Sequence, residues 1–439
     1  MILSIDPSLR RTSRDRPRVV VVGGGFAGLA AVRRLRRENV DVTLIDQHAY
    51  NTFQPLLYQV ATATLNPGDV TWALRSVHSR RFRARFVFGR VAGIDHERRQ
   101  LTLEDDRLIP YDYLIISTGV VVNYFGIEGA REHSFPLYTR AHALALRDEL
   151  QRVLELASRH GQPDELRVVI VGAGATGVET TGALAEMRER DLPVLFPELD
   201  CARIHITLVE RAPYVLGPFQ RESREYAADA LRERGAELRM DTSVETVTED
   251  GVTISTNGGP AEFLPAQIVV WASGIVAPEQ VGQWGLRQGK GGRLLVDDRL
   301  RVLGHPRVFA AGDIAVTEDD PLPQQAQPAI QTGNHAAGVI ANDIEGRPTS
   351  SFEYRDLGSL ATIGRRDAVA EATHLPRLTG LPAWVAWNVV HIRALLGGRN
   401  RLAAMVNLGS KYLLWPRDHN LIVGDPMITD ATDSETADR

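Results

Sequence analysis

Two sets of glycines hold the chemistry most open to inspection in this chain. The first is Gly23-x-Gly25-x-x-Gly28, followed at a distance by Asp46; the second is Gly172-x-Gly174-x-x-Gly177, followed by Glu210. At this spacing the first glycine permits a tight turn, the second lets a pyrophosphate approach the backbone, and the third lets a helix pack against the strand before it. The helix start then offers unpaired N–H groups and a partial positive charge to the phosphates. A carboxylate closing the next strand accepts ribose hydroxyls. Phe26 and Ala27 complete the first loop and Thr176 the second. Standing alone, such a fingerprint is equally well an ordinary glycine-rich turn, so the flanking elements decide.

Those elements are present. Val19 to Val22 are four β-branched residues in a row, as in a parallel strand buried on both faces, and an Ala/Leu-rich helix follows Gly28. Asp41-Val-Thr-Leu-Ile-Asp46 supplies the second strand with its acid. Phe86 to Asp95 and Gln100 to Glu104 alternate with period two, as antiparallel strands do. Tyr111 to Gly119 reads as the strand that closes the first unit, with Gly119 at its end. After a helix around Ala141 to Leu156, Arg167-Val-Val-Ile-Val begins the unit again, an internal duplication. Its acid comes late, at the end of Ile204-His-Ile-Thr-Leu-Val-Glu210. The delay is assigned to Arg190–Cys201, whose Pro193 and Pro197 mark an inserted loop. Ala266 to Ile275, with Gly274, closes this second unit. Glu210 would accept a ribose 2′-OH and repel a 2′-phosphate, favouring NADH over NADPH; Arg211 beside it works against that preference. Pro306 to Ile314 then returns with Asp313 after a small-residue strand end, where a carboxylate meets the ribityl hydroxyls of a flavin. With two dinucleotide units already in place, Asp313 favours FAD at the first. The stretch Tyr50 to Val60, including Gln54, suits either core packing or the polar edge of an isoalloxazine ring.

At 439 residues the chain is long enough for two to three domains, and 44% hydrophobic with 24% charged residues is ordinary globular composition. A net charge of −5 gives no reason to expect nucleic acid as a partner. Cys201 is the single cysteine, which excludes a redox cysteine pair, an intramolecular disulfide and a thiolate metal cluster. Spacings for a metal site are not seen. Residues 1–16 carry Arg10, Arg11, Arg14 and Arg16 without an apolar core, so they read as a disordered basic tail rather than a secretory signal; Asp6 and Asp15 weaken the alternative of a mitochondrial transit peptide. No stretch is apolar and long enough to span a membrane.

These residues resemble the two-dinucleotide-binding flavoproteins, and within them the type II NADH dehydrogenases, which are single-subunit, non-proton-pumping NADH:quinone oxidoreductases. The resemblance covers residues 17 to 425. It rests on the glycine motifs and on Phe53-Gln-Pro-Leu-Leu-Tyr-Gln-Val-Ala-Thr62, Asn123-Tyr-Phe-Gly126, Thr176-Gly-Val-Glu179, Ala311-Gly-Asp313, Ala326-Gln-x-Ala-x-Gln331 and Gly358-Ser-Leu-Ala-Thr-Ile-Gly364. It implies FAD held by Gly23, Gly25, Phe26, Ala27, Gly28, Asp46, Gln54, Gly119, Asp313 and Gln327. NADH, as substrate, would be held by Gly172, Gly174, Thr176, Gly177, Glu179, Glu210 and Gly274. Glu179 would stand near nicotinamide and flavin in the hydride or proton step, although a Glu in the first turn of a helix is also favoured by the macrodipole. Gln327 would mark the flavin edge where quinone docks, with Gln331 on the same helix face. Two positions depart from the family's habit: Leu357, where Lys or His is common, and Ile330, where some members carry His.

From Glu371 to Asp418 no carboxylate intervenes, while Arg377, Arg393, Arg399, Arg401, Lys411 and Arg417 lie inside. With Trp384, Trp387, Tyr412 and Trp415 this island, residues 377–417, suits an anionic membrane surface, and amphipathic helices in the interface plane would fit. A core-packing or dimer-forming C-terminal domain is the alternative. The expected fold is thus α/β, with two Rossmann-like domains, the second inserted in the first, and a C-terminal membrane-associating α/β region. FAD-binding segments would be 17–125 and 285–345, the NADH-binding domain 126–284, the C-terminal region 346–425, and 426–439 a disordered tail. The expected function is NADH oxidation with reduction of a membrane quinone, in the respiratory chain, by a protein lying peripherally on the cytoplasmic side of a bacterial inner membrane, as a monomer or a homodimer. Two rivals share the glycine motifs: a soluble reductase of a ferredoxin-like acceptor, and a low-turnover FAD/NADH redox sensor.

Overall fold

The structure is a computed structural model that describes residues 16–159, 165–318, 322–373 and 375–411. The tails expected over 1–16 and 426–439 lie outside these, Arg16 excepted, as do Tyr412, Trp415 and Arg417. Contacts divide the chain into two units. The first is built from the segments ending at Asn51, Trp72–Val121 and Ile275–Leu357; the second from Thr52–Thr71, Val122–Gly274 and the chain from Gly358 onward. Thr52–Thr71, expected with the first dinucleotide domain, therefore groups with the second unit.

In the first unit a parallel sheet runs in the order Val308–Ala310, Tyr113–Ile116, Arg18–Val22, Asp41–Asp46, Arg85–Phe88. The fingerprint strand is central: Val20 pairs with Thr43 on one side and Leu114 on the other. Val19 to Val22 are buried, as a central strand covered on both faces requires. The helix Phe26–Leu35 follows, and the long helix Ala326–Glu345 packs across it. Gly333 permits that approach, since a Cβ there would stand 2.1 Å from the Ala27 carbonyl oxygen. Pro328 is the third residue of the long helix, where its missing N–H removes no helical bond. Of the segment expected to be antiparallel, Val91–Asp95 and Gln100–Leu103 form an antiparallel trio with Leu108–Pro110, whereas Phe86 to Phe88 pair parallel with Asp41–Asp46 as an edge of the main sheet.

In the second unit the same arrangement returns. Its parallel sheet runs Phe135–Pro136, Ile268–Trp271, Leu166–Val171, Ile204–Val209, Glu237–Arg239, with the fingerprint strand between its acid-bearing neighbour and its closing strand. Two antiparallel trios are added: Thr242–Thr248 with Gly251–Thr256 and Ala261–Pro265, and Ser359–Gly364 with Asp367–Ala372 and Leu375–Thr379. The helices Gly380–Ala394 and Gly398–Gly409 follow.

The segment Arg190–Cys201 differs from expectation. The fingerprint helix Ala175–Glu186 runs on through a π-helical turn, Met187–Asp191, into a short helix Leu192–Leu195. Pro193 falls in the first turn of that helix, where a missing N–H costs nothing, and Leu192, Phe196 and Leu199 are buried. Pro193 thus restarts a helix instead of marking a loop, whereas Pro197 does lie in the turn that follows Leu195.

Candidate functional site

The two fingerprint turns match atom for atom. Gly23 and Gly172 have φ of +103° and +102°, a conformation that only glycine adopts readily. Gly23 N donates to Ile45 O and Gly172 N to Val209 O, both at 2.8 Å. A Cβ on Gly28 would lie 1.9 Å from Gly23 O, and one on Gly177 would lie 1.8 Å from Gly172 O. Around Gly25 and Gly174, by contrast, an added Cβ meets nothing within 4 Å. Both of these open glycines are helix N-caps with no side-chain cap bond, and neither helix has an acid in its first turn. Two helix starts with uncapped N–H groups and an open approach are what the phosphates of a dinucleotide need.

The duplication extends to the acids. Asp46 Oδ2 accepts from Gly24 N at 2.6 Å and Oδ1 from His48 N at 2.7 Å. Glu210 Oε2 accepts from Ala173 N at 2.7 Å and Oε1 from Ala212 N at 2.8 Å. Each acid thus ties its own strand end to the glycine turn, a role that the sequence does not reveal. Burial raises the Asp46 carboxyl above the usual carboxylate range, opposed by the N–H donors of Gly24 and His48 and by the His48 charge.

All seven residues expected to hold NADH lie in the second unit, and those expected to hold FAD lie in the first, Gln54 excepted. Gln54 opens a short 3-10 turn in the second unit and donates its amide to Tyr138 O at 3.3 Å. Asn51 donates to Gly24 O at 2.8 Å, bracing the first turn from beneath. Gly119 and Gly274 have φ of +67° and +72°; a Cβ on Gly274 would meet the Phe125 ring at 2.3 Å, so the Asn123–Gly126 motif closes against it. Asp313 follows Gly312, whose N–H donates to Thr332 Oγ1 at 2.9 Å. Burial pushes the Asp313 carboxyl up to about 6, against the opposing charge of Arg293. Gln327 is the second residue of the helix Ala326–Glu345, half-buried. Gln331 shares that face but engages both ends of its amide with Arg355, accepting from its N–H at 3.0 Å and donating to its C=O at 2.9 Å.

Glu179 lies on the fifth residue of the helix Ala175–Glu186, past its first turn, so the macrodipole does not account for it. Its residue exposure is 7%, and burial pushes its carboxyl up to about 8, opposed by two donors. These are the Thr362 N–H at 3.3 Å and the Trp387 indole N–H at 3.1 Å, both on Oε1. Thr362 comes within reach because Gly182 lets the strand Ser359–Gly364 lie on the helix: a Cβ there would be 2.1 Å from Ile363 O. Tyr58 hydroxyl meets Thr362 Oγ1 at 2.9 Å and accepts from Gln59 Nε2 at 3.0 Å. Trp387 stacks on His391 with centroids 4.0 Å apart, and Tyr58 meets Trp387 edge-on at 6.2 Å. Burial lowers the His391 imidazole to about 4, opposed by its bond to the Trp387 carbonyl. Two segments distant in sequence therefore converge on one carboxyl, and Tyr58 braces both of them. Tyr58, Gln59 and Thr362 lay inside quoted motifs, but nothing in the sequence set Trp387 or His391 beside Glu179.

Trp387 corrects the sequence reading in another way. Expected at a lipid interface, it is 1% exposed. The helix Gly380–Ala394 turns Ala383, Trp384, Trp387 and His391 inward, with Ala383 and Trp384 against Ala368 and Ala370. Its opposite side exposes Leu381, Val385 and Val389, and the next helix exposes Leu402, Met405 and Val406. The outward apolar residues are aliphatic, since the aromatic ones follow the inward i, i+3, i+4 stripe. Among the described residues no helix is long and apolar enough to cross a membrane.

Comparison with known proteins agrees with this construction. A family described as pyridine nucleotide-disulphide oxidoreductase matches residues 17–333, and one described as the NDH2 C-terminal domain matches residues 357–418. The type II NADH:quinone oxidoreductase NdhA of Mycobacterium tuberculosis is 34% identical over 91% of this chain and 87% of its own. In fold, the chain resembles an NDH2 from Plasmodium falciparum solved with NADH, with a TM-score of 0.84 at 20% identity over 93% of this chain and 100% of that one. It also resembles a sulfide:quinone oxidoreductase from Aquifex aeolicus, with a TM-score of 0.73 at 21% identity over 91% of this chain and 96% of that one. Duplicated dinucleotide units, a C-terminal domain of matching kind and identity across nearly the whole length have one explanation: the chain belongs to the type II NADH:quinone oxidoreductase family.

Proposed function

We propose that the protein oxidises NADH and reduces a quinone by two electrons, with FAD as resident cofactor. One observation carries this reading: the open, uncapped turn at Gly174 and the buried Glu179 stand on the same helix, while a matched turn at Gly25 offers the other unit a second dinucleotide site. The residues present fit FAD. Gly25 leaves room for a pyrophosphate and the helix start supplies N–H donors; Asp46 would be the ribose partner and Asp313 would receive the ribityl chain. Bound FAD supplies the capacity to take a hydride from one substrate and give two electrons to another. No protein thiol is required, in keeping with the single Cys201.

The chain's own residues orient NADH and manage one proton. Gly172, Gly174, Thr176 and Gly177 seat the pyrophosphate, Glu210 receives the adenosine ribose and repels a 2′-phosphate, and Gly274 admits the Phe125 ring that closes against it. NADH loses a hydride to become NAD⁺; the quinone gains those two electrons with two hydrogens, so one proton is drawn from solvent per turnover. Glu179, held near neutrality in its buried site, is the group that stores and releases a proton beside the nucleotide. Gln327 is the quinone-side contact, rather than Gln331, whose amide is committed to Arg355. Leu357 and Ile330 leave the quinone side without the basic groups common at these positions.

The exposed aliphatic row Leu381, Val385, Val389 with Leu402, Met405 and Val406, inside the carboxylate-free island, is the surface that rests on the cytoplasmic leaflet of the inner membrane, from which the quinone enters. The test is an anaerobic two-step mix that follows flavin absorbance. NADH, but not NADPH, is expected to bleach the flavin, and a short-chain quinone to restore it rapidly. Bleaching without recovery would sink the quinone assignment and favour a protein acceptor or a sensor.

A further inference from the structure

The aromatic pair beneath Glu179 has no part in the reading above. Trp387 and His391 occupy successive turns of the helix Gly380–Ala394, their rings 4.0 Å apart and 21° from parallel. His391 Nδ1 stands 2.7 Å from the Trp387 carbonyl oxygen. A carbonyl only accepts, so Nδ1 carries the hydrogen, and the neutral ring lies as a fixed plate against the indole. The indole has one donor, and it points to Glu179 Oε1, which also accepts from Thr362 N. With two N–H groups on Oε1, the hydrogen of a neutral carboxyl belongs on Oε2.

We propose that Trp387 is the positioning residue for Glu179: its indole N–H, held in place by the His391 ring, pins Oε1 and leaves Oε2 as the oxygen through which the carboxyl gains and loses its proton. This rests on the reading that Glu179 serves turnover. A buried indole needs some acceptor, and a backbone carbonyl would satisfy it. Here it takes instead a carboxyl that burial works to neutralise. The N–H donor favours the ionised form and burial the neutral form, so the two together bring the group close to the working pH.

Few charges compete for this control. Tyr58 and His391 are the ionisable groups whose rings flank Trp387, and the strand Ser359–Gly364 contributes no ionisable side chain. Farther along its own helix, Glu186 lies 3.9 Å from Lys411. The helix Arg221–Glu233 brings Tyr226, which bonds to Asp367, itself paired with Arg234. On the sheet strands beneath, Arg167 and His205 both pair with Glu165. Each of these charged groups already has its partner.

The test uses the full-length holoenzyme and W387F, which keeps a ring against His391 and deletes the single donor. Loss of one hydrogen bond to a carboxylate raises its pKa by about one unit. The pH profile of kcat for NADH:quinone turnover should therefore shift alkaline by that amount in W387F. E179Q should remove the same limb, and the double variant should behave as E179Q alone. H391F, which keeps a ring but loses the bond to the Trp387 carbonyl, should shift the limb in the same direction by less, and it serves if W387F fails to hold flavin. An unchanged midpoint in both variants, or a shift that persists in the E179Q background, overturns the proposal. Infrared titration of the carboxyl stretch that E179Q abolishes separates the two levels of argument. If that band titrates and moves in W387F while turnover shows no Glu179-dependent limb, positioning stands and the catalytic reading of Glu179 fails.

Discussion

Alanine at Gly174 and at Gly177 should produce opposite failures, and the geometry says why. At Gly174 the backbone is at φ −68° and ψ −175°, open to any residue, and a Cβ meets nothing within 4 Å. Removing glycine's freedom from the unfolded chain stabilises by about 0.4–1 kcal/mol. Alanine is a poorer N-cap than glycine by a comparable amount, so the two effects nearly cancel. G174A should thus unfold within about 2 °C of the unsubstituted protein. The methyl nevertheless stands where a pyrophosphate would approach, an overpacking of about 1–3 kcal/mol, or about tenfold to a hundredfold in NADH affinity. At Gly177 the Cβ would lie 1.8 Å from Gly172 O, closer than any real contact, so helix and turn must part by more than an ångström. G177A should lose stability and NADH binding together. Thermal unfolding, with NADH titrated against flavin bleaching, reads both, and flavin content should stay normal in G174A. Wild-type NADH affinity in G174A would refute the reasoning, since no phosphate could then be using that turn. G25A and G28A repeat the contrast for FAD.

Three further outcomes follow from named groups. The Glu179 carboxyl is raised from 4.5 to about 8 in the folded protein, so the folded state binds more protons across that interval and stability falls as pH rises through it. E179Q should therefore remove a pH dependence worth a few kcal/mol, giving a melting temperature about 5 °C above the unsubstituted protein at pH 9 and little difference at pH 5; parallel curves would count against it. E210Q keeps a side chain of the same shape, but its amide has one accepting oxygen and an NH2 that only donates, so one of the Ala173 and Ala212 N–H groups loses its partner; NADH affinity should fall by about tenfold and discrimination against NADPH should narrow in stopped-flow bleaching. The exposed pair Val385 and Val389, changed together to aspartate, should move the protein from sedimenting with anionic vesicles to the supernatant, with NADH bleaching intact; unchanged sedimentation would place the contact elsewhere.

What the sequence disclosed was local or periodic. Val19 to Val22 and Val168 to Val171 could hardly be anything except central parallel strands, and the glycines between strand and helix follow from backbone sterics that any reader can apply. Proline was less transparent. Pro193 and Pro197 were natural signs of a loop; Pro197 does sit in a turn, yet a π-helical turn reset the register so that Pro193 could open a new helical turn. Tryptophan misled for a related reason. Composition around Trp384 and Trp387 fits a lipid interface, and only the helical phase distinguishes the inward aromatic stripe from the outward Leu381, Val385 and Val389. The acids were half legible: their place at the strand ends was evident, but their bonds to the turn at Gly24 and Ala173 depend on ångström-scale geometry.

The helix Ala175–Glu186 explains why the remaining features stayed hidden. Its start is the nucleotide turn, its fifth residue is the buried acid, and Gly182 farther along has no side chain because the Ile363 carbonyl must come close. In the sequence that glycine is an unremarked weak point in a helix. In the fold it allows a strand nearly two hundred residues later, which meets Glu179 across |i−j|=183, to place the Thr362 N–H on the acid, and Trp387 completes the pair of donors. Glycines whose reason is a local turn can be read from spacing; a glycine whose reason is another segment cannot. The same holds for Glu179 itself. Carried by a helix that any sequence reader would draw, it is raised by burial and receives both of its opposing N–H donors from segments that the chain brings back from its C-terminal domain. The nucleotide fingerprint therefore declares what is bound, while the surroundings of the buried acid on the same helix are set by contacts of high sequence separation.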